Sequence, residues 1–173
     1  MPEASITVST DTRLQRAERV IRRNMWWSAG AGLLPVPMVE FAAITAVQVK
    51  LIKELADLYD TPFRKDGAKA AVVSLVGGLG SVALGKTVAW SSLRYIPVIG
   101  LPVAALSLSG VAAGVTWAVG KVFTSHFELG GTMLDFDAEK MREHFKQEFA
   151  NGVSEATAAV SRATGGSPAA GTK

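Results

Sequence analysis

The charges of this chain are crowded into a few segments, and the bare stretches between them limit what it can fold into. Sixteen uncharged residues separate Arg23 from Glu40, sixteen more separate Lys69 from Lys86, and twenty-six separate Arg94 from Lys121. A helix over the last run would reach roughly 39 Å, against a hydrocarbon core of about 30 Å. Such a run is covered either by lipid or, on all sides, by other helices. A chain of 173 residues holds one core and leaves no room for a large multidomain enzyme. The absence of Cys excludes a disulfide framework, a thiolate metal site and a Cys nucleophile. The net charge of +3 comes from an N-terminal Arg cluster rather than a basic stripe interleaved with aromatics, which argues against a nucleic-acid partner.

Residues 1–9 show no periodicity and no export signal, and are expected to be disordered. Thr10 to Thr12 can cap a helix with Leu14, Ala17, Val20 and Ile21 on one side. Arg13, Arg16, Arg19, Arg22 and Arg23 surround that face and lead directly into Trp26 and Trp27. Arginines followed by paired tryptophans suit anionic headgroups and an interfacial anchor, although a solvated face on a packed helix accounts for the same residues. After Pro35 and Pro37, residues 38–59 read as a helix that starts apolar, gains charge, and stops at Asp60-Thr61-Pro62. Glu40 is the one carboxylate amid its apolar start. It is a candidate buried functional group, with capping or pairing after Pro37 as the plainer role.

Two apolar helices are expected over 70–85 and 103–120, joined through Lys86, Arg94 and Pro97. Gly77, Ser81 and Gly85 form one small-residue ridge, Gly110 and Gly114 another, and such ridges permit close helix contact within one chain or between copies. The fold class is therefore all-α: a helical hairpin, transmembrane in this reading, with flanking amphipathic helices. The hairpin is rich in Ala, Gly and Ser, so a soluble bundle that buries it completely fits the same pattern. Residues 138–150 form a last amphipathic helix, with Met141, Phe145 and Phe149 at i+4 spacing, Asp135 or Asp137 as cap, and Asn151-Gly152 as stop. The domain thus spans 10–152, and 153–173 are read as a flexible tail.

Gly80 to Thr87 satisfies the phosphate-loop pattern, Gly-x-x-x-x-Gly-Lys-Thr. It lacks the preceding strand and the α/β alternation that such a loop needs, and a small-residue helix ending in Lys86 explains the same residues. His126 and His144 stand eighteen residues apart with no carboxylates at ligand spacing. No catalytic residue, cofactor or metal is expected.

The order Gly32-Leu33-Leu34-Pro35-Val36-Pro37, then Glu40, Gln48 and Leu55 to Tyr59, resembles the YcjF-like bacterial family of unknown function. Tyr95 to Gly100 and Leu129 to Phe136 look like that family's later signature regions. The resemblance implies an inner-membrane helical domain associated with a small GTPase, and it carries no catalytic residues. The hairpin is expected in the bacterial cytoplasmic membrane that the resemblance implies, and since Lys and Arg crowd 13–23 and 50–69, both termini are expected to be cytoplasmic. The functional expectation is a non-enzymatic module that contacts lipid, forms homo-oligomers and scaffolds or anchors a partner. A small transporter using Glu40 and a nucleotide-binding protein using Lys86 are the competing readings.

Overall fold

The computed structural model describes residues 3–31, 37–77 and 100–163, with side chains over 12–30, 42–77 and 109–162. Five helices lie among the described residues: α1 (Glu3–Ala31), α2 (Pro37–Leu58), α3 (Lys65–Gly77), α4 (Gly100–Glu128) and α5 (Arg142–Ala163). Among the described residues there is no strand. The all-α expectation is met, and the element boundaries differ in instructive ways.

α4 is the central helix. Residues 112–120 are buried without a break, and Val122, Phe123, Thr124, His126 and Phe127 continue the buried surface. α1, α2 and α5 cover it. α1 supplies Ala17, Ile21, Asn24, Met25 and Ser28, and α2 supplies Gln48, Leu51, Ile52, Leu55 and Ala56. Both sets follow the i, i+3, i+4, i+7 spacing of a one-sided helix. α3 adds Ala68, Ala71, Val72 and Leu75, and α5 adds Phe145 and Ala156. Phe123 stacks on Phe136 at 4.3 Å between ring centroids, which ties the α4–α5 connection to the core.

This changes the expected hairpin. Residues 112–120 of its second arm are covered by helices whose outer faces are charged, so protein rather than lipid surrounds them. Among the described residues, no helix is long and apolar enough to cross a membrane. Of the first arm, only the part up to Gly77 lies within the described residues.

Three boundaries also moved. α1 begins at Glu3, ahead of the expected Thr10–Thr12 cap, with an acidic residue at the end of the helix where the dipole favours one. α5 begins at Arg142 rather than Ala138, after a turn in which Asp137 Oδ1 accepts from the amides of Glu139 and Lys140 at 3.0 and 3.2 Å. It then runs through Gly152 to Ala163. Gly152 does not stop the helix because it serves packing: a Cβ there would stand 2.6 Å from Trp117 Cβ and 3.0 Å from the Gly114 Cα of α4.

α2 and α4 end in the same way. The Thr61 amide donates to the Ala56 carbonyl and the Asp60 amide to Asp57, with Asp60 at φ 55°. Gly131 and Gly130 repeat the pattern on His126 and Phe127, with Gly130 at φ 79°. Each is a Schellman stop, in which a left-handed residue turns its amide back onto the last carbonyls.

Candidate functional site

Helix register brings chemically similar segments to one end of the bundle. Ser28 Oγ donates to the Ala112 carbonyl at 3.2 Å, and Ile21 packs against Gly120, so α1 and α4 are antiparallel. Asn24 meets Lys50 and Glu54 while Arg13 lies over the Tyr59 ring, so α1 and α2 are antiparallel too. Trp117 Nε1 donates to Glu148 and Ser125 pairs with His144, which orders α4 and α5 the same way. The end of α1 therefore lies at the same pole as the starts of α2 and α4. α3 sets out from the opposite pole, where Gly67 lies beside Met133, and packs along α2.

At the first pole, α4 has twelve residues before Ala112, whereas α1 has three after Ser28. The start of α4 thus projects roughly 13 Å past the end of α1, taking 1.5 Å per residue. Residues 100–111 carry no charge. The sequence that joins α1 to α2, 32–36, is uncharged, and 78–99, which leads into α4, holds only Lys86 and Arg94. Just below this projection, Trp26 and Trp27 are 50% and 65% exposed.

The five arginines of α1 do not form one equivalent set. Arg22 pairs with Glu155 of α5 at 2.5 Å and with Glu18 at 3.2 Å, and its guanidinium lies 5.3 Å from the Trp117 ring. The Glu155 hydrogen bond holds the Arg22 pKa above its ordinary value, and Arg22 in turn holds that of Glu155 below the ordinary carboxylate value. Arg23 reaches Glu54 of α2 at 2.8 Å. Burial alone would raise the Glu54 pKa, but hydrogen bonds from Lys50, Asn24 and Arg23 outweigh it and hold the carboxyl below its usual range. Arg13 is engaged with Tyr59. Arg16 and Arg19 are exposed and carry no ion pair among the described residues.

The glycines divide similarly. A Cβ on Gly114 would stand 2.6 Å from Val153 Cγ2, and one on Gly120 2.5 Å from Ile21 Cγ1. Gly77 and Gly110 meet nothing within 4 Å. Ser81 and Gly85 lie outside the described residues, as does the phosphate-loop-like 80–87, and Glu40 is placed only by its backbone, in the first turn of α2. Sequence reading missed Gly120 and Gly152 as contact positions. The signal available for Gly152 was its place seven residues after the core Phe145, on the same helical face.

At the opposite pole, His126 Nε2 lies 2.8 Å from the Thr132 carbonyl, and Asp135 accepts from both the amide and the hydroxyl of Thr132. These bonds hold the Asp135 carboxyl below its usual pKa and fold the loop into a fixed shape. Tyr59 donates to Glu128 at 2.6 Å; burial first, and then that carboxylate, push its pKa up. Among the described residues, no group of His, Asp and Glu could hold a metal ion. The Tyr59–Glu128 bond ties the end of α2 to α4, and the His126–Thr132–Asp135 set ties α4 to the loop that follows it.

Residues 4–161 match a family described as a domain of unknown function, DUF697. The chain is also 34% identical over 136 residues to the Magnetosome membrane protein 22 of Magnetospirillum gryphiswaldense, a match that covers 79% of this chain and 70% of that protein. No solved structure matches it.

Proposed function

The chain belongs to the DUF697 family, and from that premise we propose that it is a non-enzymatic, membrane-associated helical module. The observation that carries this reading is the projecting, uncharged start of α4, residues 100–111, beside the uncharged end of α1 over 24–31, with Glu40 in the first turn of α2 the one charge among the residues described there. The roughly 13 Å projection of α4 compares with about 15 Å for one leaflet, half of a 30 Å hydrocarbon core. The exposed Trp pair beneath it suits the membrane interface, where an indole keeps its ring in an apolar layer and its N–H in a polar one. The relative named a magnetosome membrane protein supports the same location. A bacterial cytoplasmic membrane, with both termini cytoplasmic, is the location this reading assigns.

The module's role in this reading is to anchor or scaffold a soluble partner, for which the YcjF-like resemblance supports a small GTPase. Self-assembly fits the free ridge of α3, where Ala70, Val73, Ser74 and Gly77 all face solvent. Flotation of the full chain with lipid vesicles tests the location. A chain that stays at the bottom of the gradient with every lipid mixture would sink the reading. Purification from native membranes tests the partner: a GTP-binding protein recovered in stoichiometric amount supports the anchor, and the chain alone leaves only self-assembly.

A further inference from the structure

We infer that the outer face of α1 is a docking surface for anionic phospholipid headgroups, a conclusion that rests on the membrane-associated reading and adds a lipid selectivity to it. At 100° per residue, Arg16, Arg19, Arg23, Trp26 and Trp27 fall within a sector of about 100° around the helix axis. That sector lies opposite the buried stripe of Ala17, Ile21, Met25 and Ser28. All five residues are exposed. Along the axis the order is basic first and aromatic last, with the Trp pair nearest the projecting start of α4.

Part of the charge on this face has no ion-pair partner among the described residues. Glu54 engages Arg23, whereas Arg16 and Arg19 carry no ion pair among the described residues. Glu18 and Glu155 lie to one side, where they hold Arg22 in the α1–α5 contact. Two unneutralised guanidiniums and a third half-shared one, next to exposed indoles, complement a surface that offers phosphates above an apolar layer. Guanidinium forks bind phosphate oxygens in pairs. A soluble phosphate compound would engage the arginines and leave the tryptophans without a role.

The distances fit a tilted approach. Arg23, Arg19 and Arg16 precede Trp27 by about 6, 12 and 16 Å along the helix. The headgroup layer is only about 5–8 Å deep on each side of the core. Arg23 falls within that layer when the Trp pair sits at its inner edge, and Arg19 and Arg16 reach it through their long side chains if the bundle leans onto this face. Lys65 and Lys69 of α3 start from the opposite pole and remain in water.

The experiment compares binding of the full chain to vesicles of phosphatidylcholine alone and of phosphatidylcholine mixed with phosphatidylglycerol. The variants are Arg16→Ala/Arg19→Ala, Arg16→Lys/Arg19→Lys and Lys65→Ala/Lys69→Ala, with helical content checked by circular dichroism. The wild-type chain is expected to prefer the anionic vesicles, and the preference to weaken with added salt. At about fivefold per cation near the surface, the double Ala variant should lose on the order of 20-fold in affinity. The double Lys variant should retain most of the preference, and Lys65→Ala/Lys69→Ala, which removes the same charge elsewhere, should leave binding unchanged. Equal binding to both vesicle types would overturn the headgroup assignment while leaving membrane association intact. Equal loss in both Ala pairs would reduce it to net charge and overturn this face. Absence of binding to either vesicle would overturn the membrane reading together with it.

Discussion

Gly114 of α4 and Gly152 of α5 meet where the two helices cross: the Gly114 Cα lies 3.0 Å from the position a Cβ on Gly152 would take. On the other side of the same site, a Cβ on Gly114 would press on Val153 and on the Phe149 ring. Helix propensity alone favours Ala over Gly by about 1 kcal/mol in a helix interior. Packing reverses the sign here, since backbone and the root of Trp117 cannot move aside as a side-chain tip can. Gly152→Ala is expected to destabilise the fold by about 1–3 kcal/mol, in the range of overpacked cores. Gly30→Ala and Gly110→Ala, which meet nothing within 4 Å, should instead raise stability by up to about 1 kcal/mol. Chemical-denaturation midpoints for the three variants measure both signs at once.

The contact between α1 and α2 turns on Asn24, which is fully buried and donates to Glu54 at 2.6 Å and to the Val20 carbonyl at 3.0 Å. Asn24→Ala removes a donor from a half-buried carboxylate and should cost about 1–3 kcal/mol. The Glu54 pKa is lowered in the folded chain from an ordinary 4.5. Its stabilising contribution is therefore present above the unfolded value and disappears as pH falls through the folded one. Unfolding midpoints taken between pH 7 and the acid range should fall more steeply for the wild-type chain than for Glu54→Gln.

The two Schellman stops differ in one respect that can be exchanged. Gly130 takes its left-handed φ of 79° without a Cβ, whereas Asp60 takes φ 55° with one. A left-handed L-residue costs roughly 1–2 kcal/mol, part of which an Asp recovers through local hydrogen bonding. Asp60→Gly is expected to leave stability unchanged or raise it by a few tenths of a kcal/mol, and Gly130→Val to lower it by about 1–2 kcal/mol. Thermal melts of the two variants decide it, and a stabilised Gly130→Val would contradict the geometry.

What the sequence disclosed follows from the range of the interactions involved. Asp60-Thr61-Pro62 marks the end of α2 because a stop is a local event, and the i+4 row of Met141, Phe145 and Phe149 marks a buried face for the same reason. The arginines were harder: Arg23 and Arg22 find Glu54 and Glu155 at separations of 31 and 133 residues, which no local pattern announces. Gly152 read as a stop since Asn-Gly suits a helix end, and only the approach of α4 shows why a side chain is absent there. The stretch over 112–120 is apolar on all sides, a pattern that lipid and surrounding helices satisfy equally well. The structure supplies the surrounding helices.

The four tryptophans give the membrane-associated reading a depth gauge. Trp117 is buried, and its Nε1 donates to Glu148 at 3.0 Å, so its surroundings are set by the fold. Trp26 and Trp27 face outward beside the pole from which α4 projects. In a chain carrying Trp90→Phe and Trp117→Phe, the remaining emission should start red-shifted, as exposed indoles require, and move to shorter wavelength when vesicles are added. Quenchers placed at the headgroup or along the acyl chain then locate the rings, with strongest quenching expected near the boundary between the two. The complementary chain, keeping only Trp117, should show no vesicle-dependent shift. If Trp26 and Trp27 stayed red-shifted in vesicles that demonstrably carried the protein, another surface would be in contact with lipid, and the projecting start of α4 would lose its assigned role.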